Sequence, residues 1–207
     1  WKRELVARAV ATIPRGGRVL DLACGTGDLA LAIAAARPDA TITGIDAASR
    51  MIEGANARRT AAGLANVAFE TGDLMRIGTA DASVDVVTAG YALRNVPDWE
   101  LGLAEIARVL KEGGRFLSLD FYRPEQAWWR VPYLAYLRVA GDVVGLLWHG
   151  KAVIYGYIAR SIASFTSWRG FSRALEARGF TDVRVRTFLL GGVALHEATR
   201  SRPGASP

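Results

Sequence analysis

Two groups of residues in this 207-residue chain have types and spacings suited to chemistry. The first is "DLACGTGDLA" (21–30), which follows one apolar run and opens another. Gly25 and Gly27 form a G-x-G with Ala30 in the third small position, and Asp46 follows 19 residues after Gly27. Glycines there let the backbone approach a ligand, and an acid at that distance accepts from ribose hydroxyls. The second group lies in "YALRNVPDW" (91–99), at the end of the Val-rich run "VDVVTAG" (84–90). Arg94 and Asn95 put a permanent positive charge and an amide at the mouth of what reads as a strand buried on both faces.

The elements that must hold these groups alternate. "RVLDLA" (18–23), "TITGID" (41–46), "VAFETGD" (67–73), the 84–90 run and "GRFLSLDF" (114–121) read as strands. Between them, "DLALAIAAAR" (28–37) and "SRMIEGANARRTAAG" (49–63) read as helices, the second with Ser49 as its cap. The run 98–114 predicts a helix capped by Asp98 and stopped by Gly113 and Gly114. Strand then helix, repeated, predicts a parallel sheet covered on both faces. A helix within 164–180 and two closing strands, 182–190 and 191–199, predict a final antiparallel hairpin. The fold class is thus α/β, Rossmann-like, with the closing hairpin of class I methyltransferases and a helical aromatic insert. One domain spans 1–207, with 122–163 as a substrate-covering insert.

The glycine loop also says which cofactor. A dinucleotide needs its pyrophosphate over the helix N-terminus, where a negative side chain is unwelcome. Here Asp28 stands in that first turn and Asp21 precedes the loop. Such an acid-lined loop suits a ligand with positive charge, a sulfonium and an α-amino group, although Asp28 also reads as a partner of the helix dipole. Asp73 ends the third strand, where it offers an acceptor to an adenine amino group or simply starts a turn. Together these favour S-adenosylmethionine over NAD, and no metal.

Composition narrows the partners. Cys24 is the only cysteine, so no internal disulfide and no thiolate metal site can form, and it reads as a small packing residue. The net charge of +6 comes almost entirely from scattered arginines, a pattern unlike a DNA-reading helix. It fits either a solvated surface or attraction to anionic lipid headgroups, and nucleic acid is not expected. The chain begins at Trp1, so targeting is not read from it. The most lipid-like stretch, 131–148, carries Arg138 and Asp142, which a spanning helix would not normally hold. A cytoplasmic protein is the expectation, with peripheral contact at an anionic membrane surface as the alternative to a merely solvated one.

The motifs together resemble the ubiquinone/menaquinone C-methyltransferase family. The likeness is carried by "WKRELV", "VLDLACGTGDLA", "GIDAASRMI", "YALRNVPDW", "RVLKEGGRFLSLDFYRP", "YGYIARSIASF" and "GGVALHEAT", in order along nearly the whole chain. It implies methylation of a ring carbon in a reduced polyprenyl quinone of demethylmenaquinol type. By position it implies cofactor contacts at Thr26, Asp46, Asp73, Leu74 and the backbone near Gly90. Tyr91-Ala92 stands where Phe-Gly is usual and "LDFYRP" replaces "LEFSKP", departures that lean slightly towards the menaquinone or phylloquinone side. Family members also carry a segment before "WKR" that helps cover the site.

The resemblance suggests a use for Arg94. Methylating an aromatic carbon requires electron density there, which an ionised neighbouring hydroxyl supplies. A phenol of pKa about 10 is lowered by roughly 1–3 units beside an opposite charge, which leaves on the order of a tenth ionised at neutral pH. Asn95 then donates to the same or the opposite ring oxygen, and transfer requires mainly alignment. The structural alternative is that Arg94 pairs with a local carboxylate while Asn95 caps the loop before Pro97. A base for the departing ring proton is not assigned: His196 reads as a core histidine, His149 as a surface or lid residue, and Asp120 lies at the correct end of its strand.

Residues 121–158 carry Phe121, Tyr122, Trp128, Trp129, Tyr133, Tyr136, Trp148, Tyr155 and Tyr157. Such aromatic density suits a surface for lipid or a lipophilic tail, ordinary core packing, or a homodimer interface. The rival functions are an O- or N-methyltransferase of another lipophilic molecule, an NAD-linked oxidoreductase, and a cofactor-binding protein without activity.

Overall fold

A computed structural model describes residues 1–149 and 156–201, with side chains at 1–139 and 158–201. Helix α1 (Lys2–Thr12) precedes strand β1 (Arg18–Leu22), and α2 (Asp28–Ala36), β2 (Thr41–Asp46), α3 (Ser49–Ala62) and β3 (Val67–Thr71) follow. Strand β4 (Val84–Gly90) leads through a 3-10 turn (Leu93–Asn95) into α4 (Trp99–Val109) and β5 (Leu110–Phe121). The remaining elements are α5 (Ala127–His149), α6 (Gly156–Ser164), α7 (Trp168–Ala177), β6 (Phe180–Phe188), a 3-10 turn (Leu189–Gly191) and β7 (Val193–Arg200).

The seven strands form one sheet in the order β3-β2-β1-β4-β5-β7-β6. The pairs among β1 to β5 are all parallel, and β7 enters antiparallel between β5 and β6. The chain reverses direction across the sheet between β1 and β4, the place where open α/β sheets bind ligands beyond the carboxyl ends of their strands. Apolar side chains from the two faces form two cores, one around Leu93, Ile106 and Phe171, the other around Leu5, Ile33 and Ile42.

Three boundaries differ from the sequence expectation. Helix α4 does start on its predicted cap, the Asp98 carboxylate accepting from the Leu101 N–H, but it ends at Val109. Leu110 already pairs with Val84, and the register then jumps so that Arg115 pairs with Val86. Gly113, at φ 75°, makes the turn inside this irregular strand entry, so the glycines shape a strand rather than stop a helix. Helix α3 is preceded by Ala48, without a side-chain cap. The helix read within 164–180 is split: α6 ends at Ser164, and Ser167 caps α7 by accepting from the Gly170 N–H.

The described part of the insert between β5 and α7 is mainly helical. Trp148, His149, Tyr155, Tyr157 and Asp142, named above, lie outside the described side chains. Among the described residues no helix is long and apolar enough to cross a membrane.

Candidate functional site

The glycine loop is built from the backbone outward. Gly25 and Gly27 both lie at positive φ, 55° and 83°. A Cβ on Gly27 would meet the Phe69 ring at 2.6 Å, while Gly25 faces open space, where a ligand can come against the main chain. Arg58 bonds both the carbonyl and the hydroxyl of Thr26 and so ties the loop to α3. Asp46 fastens the other side, accepting from the N–H groups of Gly25 (2.8 Å) and Ala48 (2.9 Å).

A cavity of about 370 Å³ opens over this loop. It is lined by Asp21, Gly25, Thr26 and Gly90, four of the residues singled out from sequence, and by Lys2, Met51 and Tyr91 among others. Asp21 is buried, and its oxygens accept from the Thr88 hydroxyl (2.7 Å) and the Ala30 N–H (3.2 Å). Burial raises its carboxyl to about pKa 7, against the lowering effect of those two bonds. Each oxygen keeps a lone pair for one further donor.

Asp28 is occupied otherwise. Arg58 (2.6 Å) and Lys2 (3.0 Å) both pair with it, and these bonds, Arg58 first, hold its carboxyl below the usual range. The negative character of the loop therefore rests on Asp21 and Asp46, and Asp28 organises the cations around it. Asp73 and Leu74 stand farther out along the same sheet edge. Asp73 is exposed and closes a turn on the Met75 N–H, and Leu74 is buried in the core. Gly72 joins this segment to the Asp46 carbonyl. The cavity lining does not include Gly27, Asp46, Asp73 or Leu74.

Beyond Tyr91 lies Arg94. Its guanidinium is 6% exposed and pairs at 2.6 Å with Asp120, which is fully buried. The same carboxylate accepts from the N–H groups of Phe121 and Arg94. Arg94 packs 5.2 Å from the Phe121 ring centroid and 5.9 Å from that of Tyr91. Nη1 also donates to the Tyr91 carbonyl, and so does the Asn95 amide. Both parts of the structural alternative are thus present: a carboxylate partner for Arg94 and a loop bond for Asn95. One atom is left over, since Arg94 Nε is buried without a hydrogen-bond partner. A buried N–H on a permanent cation is costly to leave unpaired.

Tyr91 holds these parts in register. It adopts φ 59°, a backbone region that bulky side chains rarely occupy, and its N–H donates to the Leu119 carbonyl at 2.7 Å. Its ring stands between the cofactor cavity and Arg94. Tyr133, from α5, adds the outer wall: it is buried, its hydroxyl bonds the Gly192 carbonyl, and burial pushes it up to about 12.

Asp120, weighed as a base, is wholly engaged in holding Arg94 and the adjoining backbone. His196 is the core histidine expected: it contacts Tyr122, Ser172 and the Trp168 carbonyl, and burial lowers it to about pKa 4. Lys2, Met51 and Tyr133 are not singled out as site residues by the sequence: Lys2 and Met51 lie within the motifs "WKRELV" and "GIDAASRMI", and Tyr133 stands only among the aromatic residues of the insert.

Residues 1–200 match the model of the ubiE/COQ5 methyltransferase family. The chain belongs to that family. It is 36% identical over 194 residues to the demethylmenaquinone methyltransferase of Deinococcus radiodurans, covering 93% of this chain and 79% of that one. It is 38% identical over 205 residues to the ubiquinone/menaquinone biosynthesis C-methyltransferase UbiE of Rubrivivax gelatinosus, covering 97% and 76%. Among solved structures, the YcgJ protein of Bacillus subtilis superposes with a TM-score of 0.69 at 27% identity, covering 89% of this chain and 71% of that one. The sheet, mostly parallel with β7 reversed, is that of class I methyltransferases, and S-adenosylmethionine is the methyl donor the family membership implies. The residues present fit that cofactor: open backbone at Gly25 and a buried carboxylate, Asp21, with capacity for an ammonium group line the cavity, and the acid at the end of β2 stands behind the loop on the Gly25 N–H.

Proposed function

We propose that this enzyme methylates a ring carbon of a reduced polyprenyl quinone precursor of demethylmenaquinol type, with Arg94 holding the ring oxygen beside that carbon. The observation that carries this reading is the unpartnered, buried Nε of Arg94, one aromatic ring away from the cofactor cavity.

The cofactor supplies an electrophilic methyl group. The chain supplies the rest. Asp120 fixes the guanidinium on one side and leaves Nε–H to donate to a ring oxygen. A phenolic hydroxyl there ionises more readily, by roughly 1–3 pKa units, and its charge spreads to the ortho carbon. Tyr91 and Phe121, 5.2 Å apart by ring centroids, offer flat faces that restrain the ring in an attack alignment. Asp21 receives the cofactor's ammonium, Asp46 its ribose, and Gly25, Thr26, Gly27 and Gly90 line its path; Asp73 and Leu74 stand at the adenine end. Asn95 keeps the Arg94 turn closed through Tyr91. Rearomatisation releases the ring proton to water.

The test is to incubate the protein with S-adenosylmethionine and chemically reduced demethylmenaquinone and look for product heavier by one methyl group. Arg94→Ala run beside it should lower kcat by about 10²–10³, as expected for losing one oxyanion donor, with cofactor affinity retained. Full turnover by Arg94→Ala would sink the role given to Arg94. No product from wild type despite cofactor binding would point to a different acceptor.

A further inference from the structure

The large apolar side chains that this molecule exposes are not scattered. Among the described residues, all but Trp1, Met51 and Leu101 lie on the outer face of α5 and the Leu189–Gly191 turn. Contacts join the two. Trp1 packs on Phe188 at 5.4 Å, Phe188 precedes Leu189, and the Leu189 carbonyl accepts from Trp129 Nε1 at 3.1 Å. Trp129 in turn neighbours Trp128 at 6.3 Å.

Helix α5 is inverted relative to an ordinary surface helix. It turns Trp128, Val131, Tyr136 and Val139 outward, each more than 60% exposed. The turn is stranger still. Leu189 and Leu190 both adopt left-handed backbone, φ 49° and 51°, and both side chains stand in water, 48% and 62% exposed. Bulky residues rarely accept that region, and holding two leucines there does nothing for the fold's own core.

Two further features say what this face meets. Between Glu125, which is engaged by Arg169 and Ser167, and Asp142, residues 126–141 contain no Asp or Glu but do contain Arg130 and Arg138, and Arg186 stacks 5.3 Å from the Phe188 centroid. The nearby acid, Glu4, is engaged by Arg8 and Arg186. The rim is therefore cationic. The inner edge reaches towards Arg94, because Trp129 packs on Tyr133 at 5.7 Å and Tyr133, bonded to Gly192, feels the Arg94 charge. Tryptophan and tyrosine suit the headgroup level of a bilayer, leucine the acyl level, and arginine an anionic surface.

We propose that this face docks the enzyme on an anionic lipid bilayer, with the Leu189–Leu190 turn at its deepest point and the Arg94 side of the site next to the membrane. A membrane-held quinol then reaches Arg94 without its tail crossing water, a consequence that rests on the function proposed above, whereas the docking itself does not.

The experiment uses the whole chain, phosphatidylcholine vesicles with and without phosphatidylglycerol, and no quinol. Wild type should sediment with the phosphatidylglycerol vesicles and markedly less with phosphatidylcholine alone. Leu189→Asn with Leu190→Asn should weaken binding by about tenfold or more, the scale of withdrawing leucine side chains from an apolar medium. Asparagine tolerates left-handed backbone, so cofactor affinity should be unchanged and serves as the folding control. Equal vesicle binding by the variant, or none by wild type, overturns the proposal. So does a concentration-dependent dimer that the two substitutions abolish, which would give the face to a second copy of the chain. Methylation of a tail-less quinol in solution separates the two readings: with turnover but no vesicle binding, docking falls alone; with binding but no turnover, the reaction falls alone.

Discussion

In the function proposed above, Arg94 has a structural and a chemical role, and the two support each other. A guanidinium with no partner would be too mobile to hold a ring oxygen, and one with every N–H satisfied would have nothing to offer. Asp120 removes the first problem and the orphan Nε avoids the second. Asp120→Asn should therefore lower kcat while leaving cofactor affinity within about twofold, since only the reacting half of the site depends on the pair. Isothermal titration and turnover on the same preparation check this. Asp21 gives a second prediction. Its carboxyl is held at about pKa 7 by burial, and a cationic ligand favours its ionised form. Cofactor affinity should be full above pH 7 and fall as pH drops through 7, by at most about tenfold per unit. Calorimetry between pH 5.5 and pH 8 (roughly the span of that transition) would show the slope, and Asp21→Asn should flatten it.

At the scale of elements, the loop after β1 works because α2, β2 and β3 leave no room there. Phe69, on β3, lies against both Gly27 and Gly44, where an added Cβ would sit within 2.6 Å and 2.5 Å of its ring. Gly27 also needs φ 83°, so Gly27→Ala meets strain and overlap together. It should destabilise the protein by about 1–3 kcal/mol and weaken cofactor binding as well, measured by urea unfolding and titration. Gly25→Ala meets the backbone strain without the overlap, so it should lose less stability while still impairing the cofactor. The helical motifs show the same dependence on neighbours. The Asp98 cap was legible because capping is local; the end of α4 was not, because Leu110 pairs with Val84, 26 residues earlier in the chain.

For the molecule as a whole, acid sensitivity has an identifiable component in the core. Burial lowers His196 to about pKa 4, below its ordinary 6.5. The unfolded chain therefore takes up a proton below pH 6.5 that the folded chain refuses until about pH 4. The stabilisation is complete above 6.5 and is lost as pH falls across that window, at about 1.4 kcal/mol per unit. The stability advantage of wild type over His196→Gln should shrink accordingly between pH 6.5 and pH 4.5, read from urea midpoints.

What the sequence by itself determined was whatever depends on period or on local geometry. The β-branched runs, the Ala-rich helix after the glycine loop and the closing pair of strands specify an α/β sheet, because burial on two faces and turn chemistry are written into neighbouring residues. The positions of Asp21, Asp46 and Arg94 at strand ends follow from the same pattern. The tertiary structure decided which charges meet. Asp28 became the partner of Lys2 and Arg58, and Asp120 that of Arg94, through pairings 26 to 30 residues apart. It also decided that α5 faces outward with its apolar side and that two leucines occupy a left-handed turn. Electrostatic partners and surface exposure depend on distances between elements, and sequence spacing carries no record of those distances.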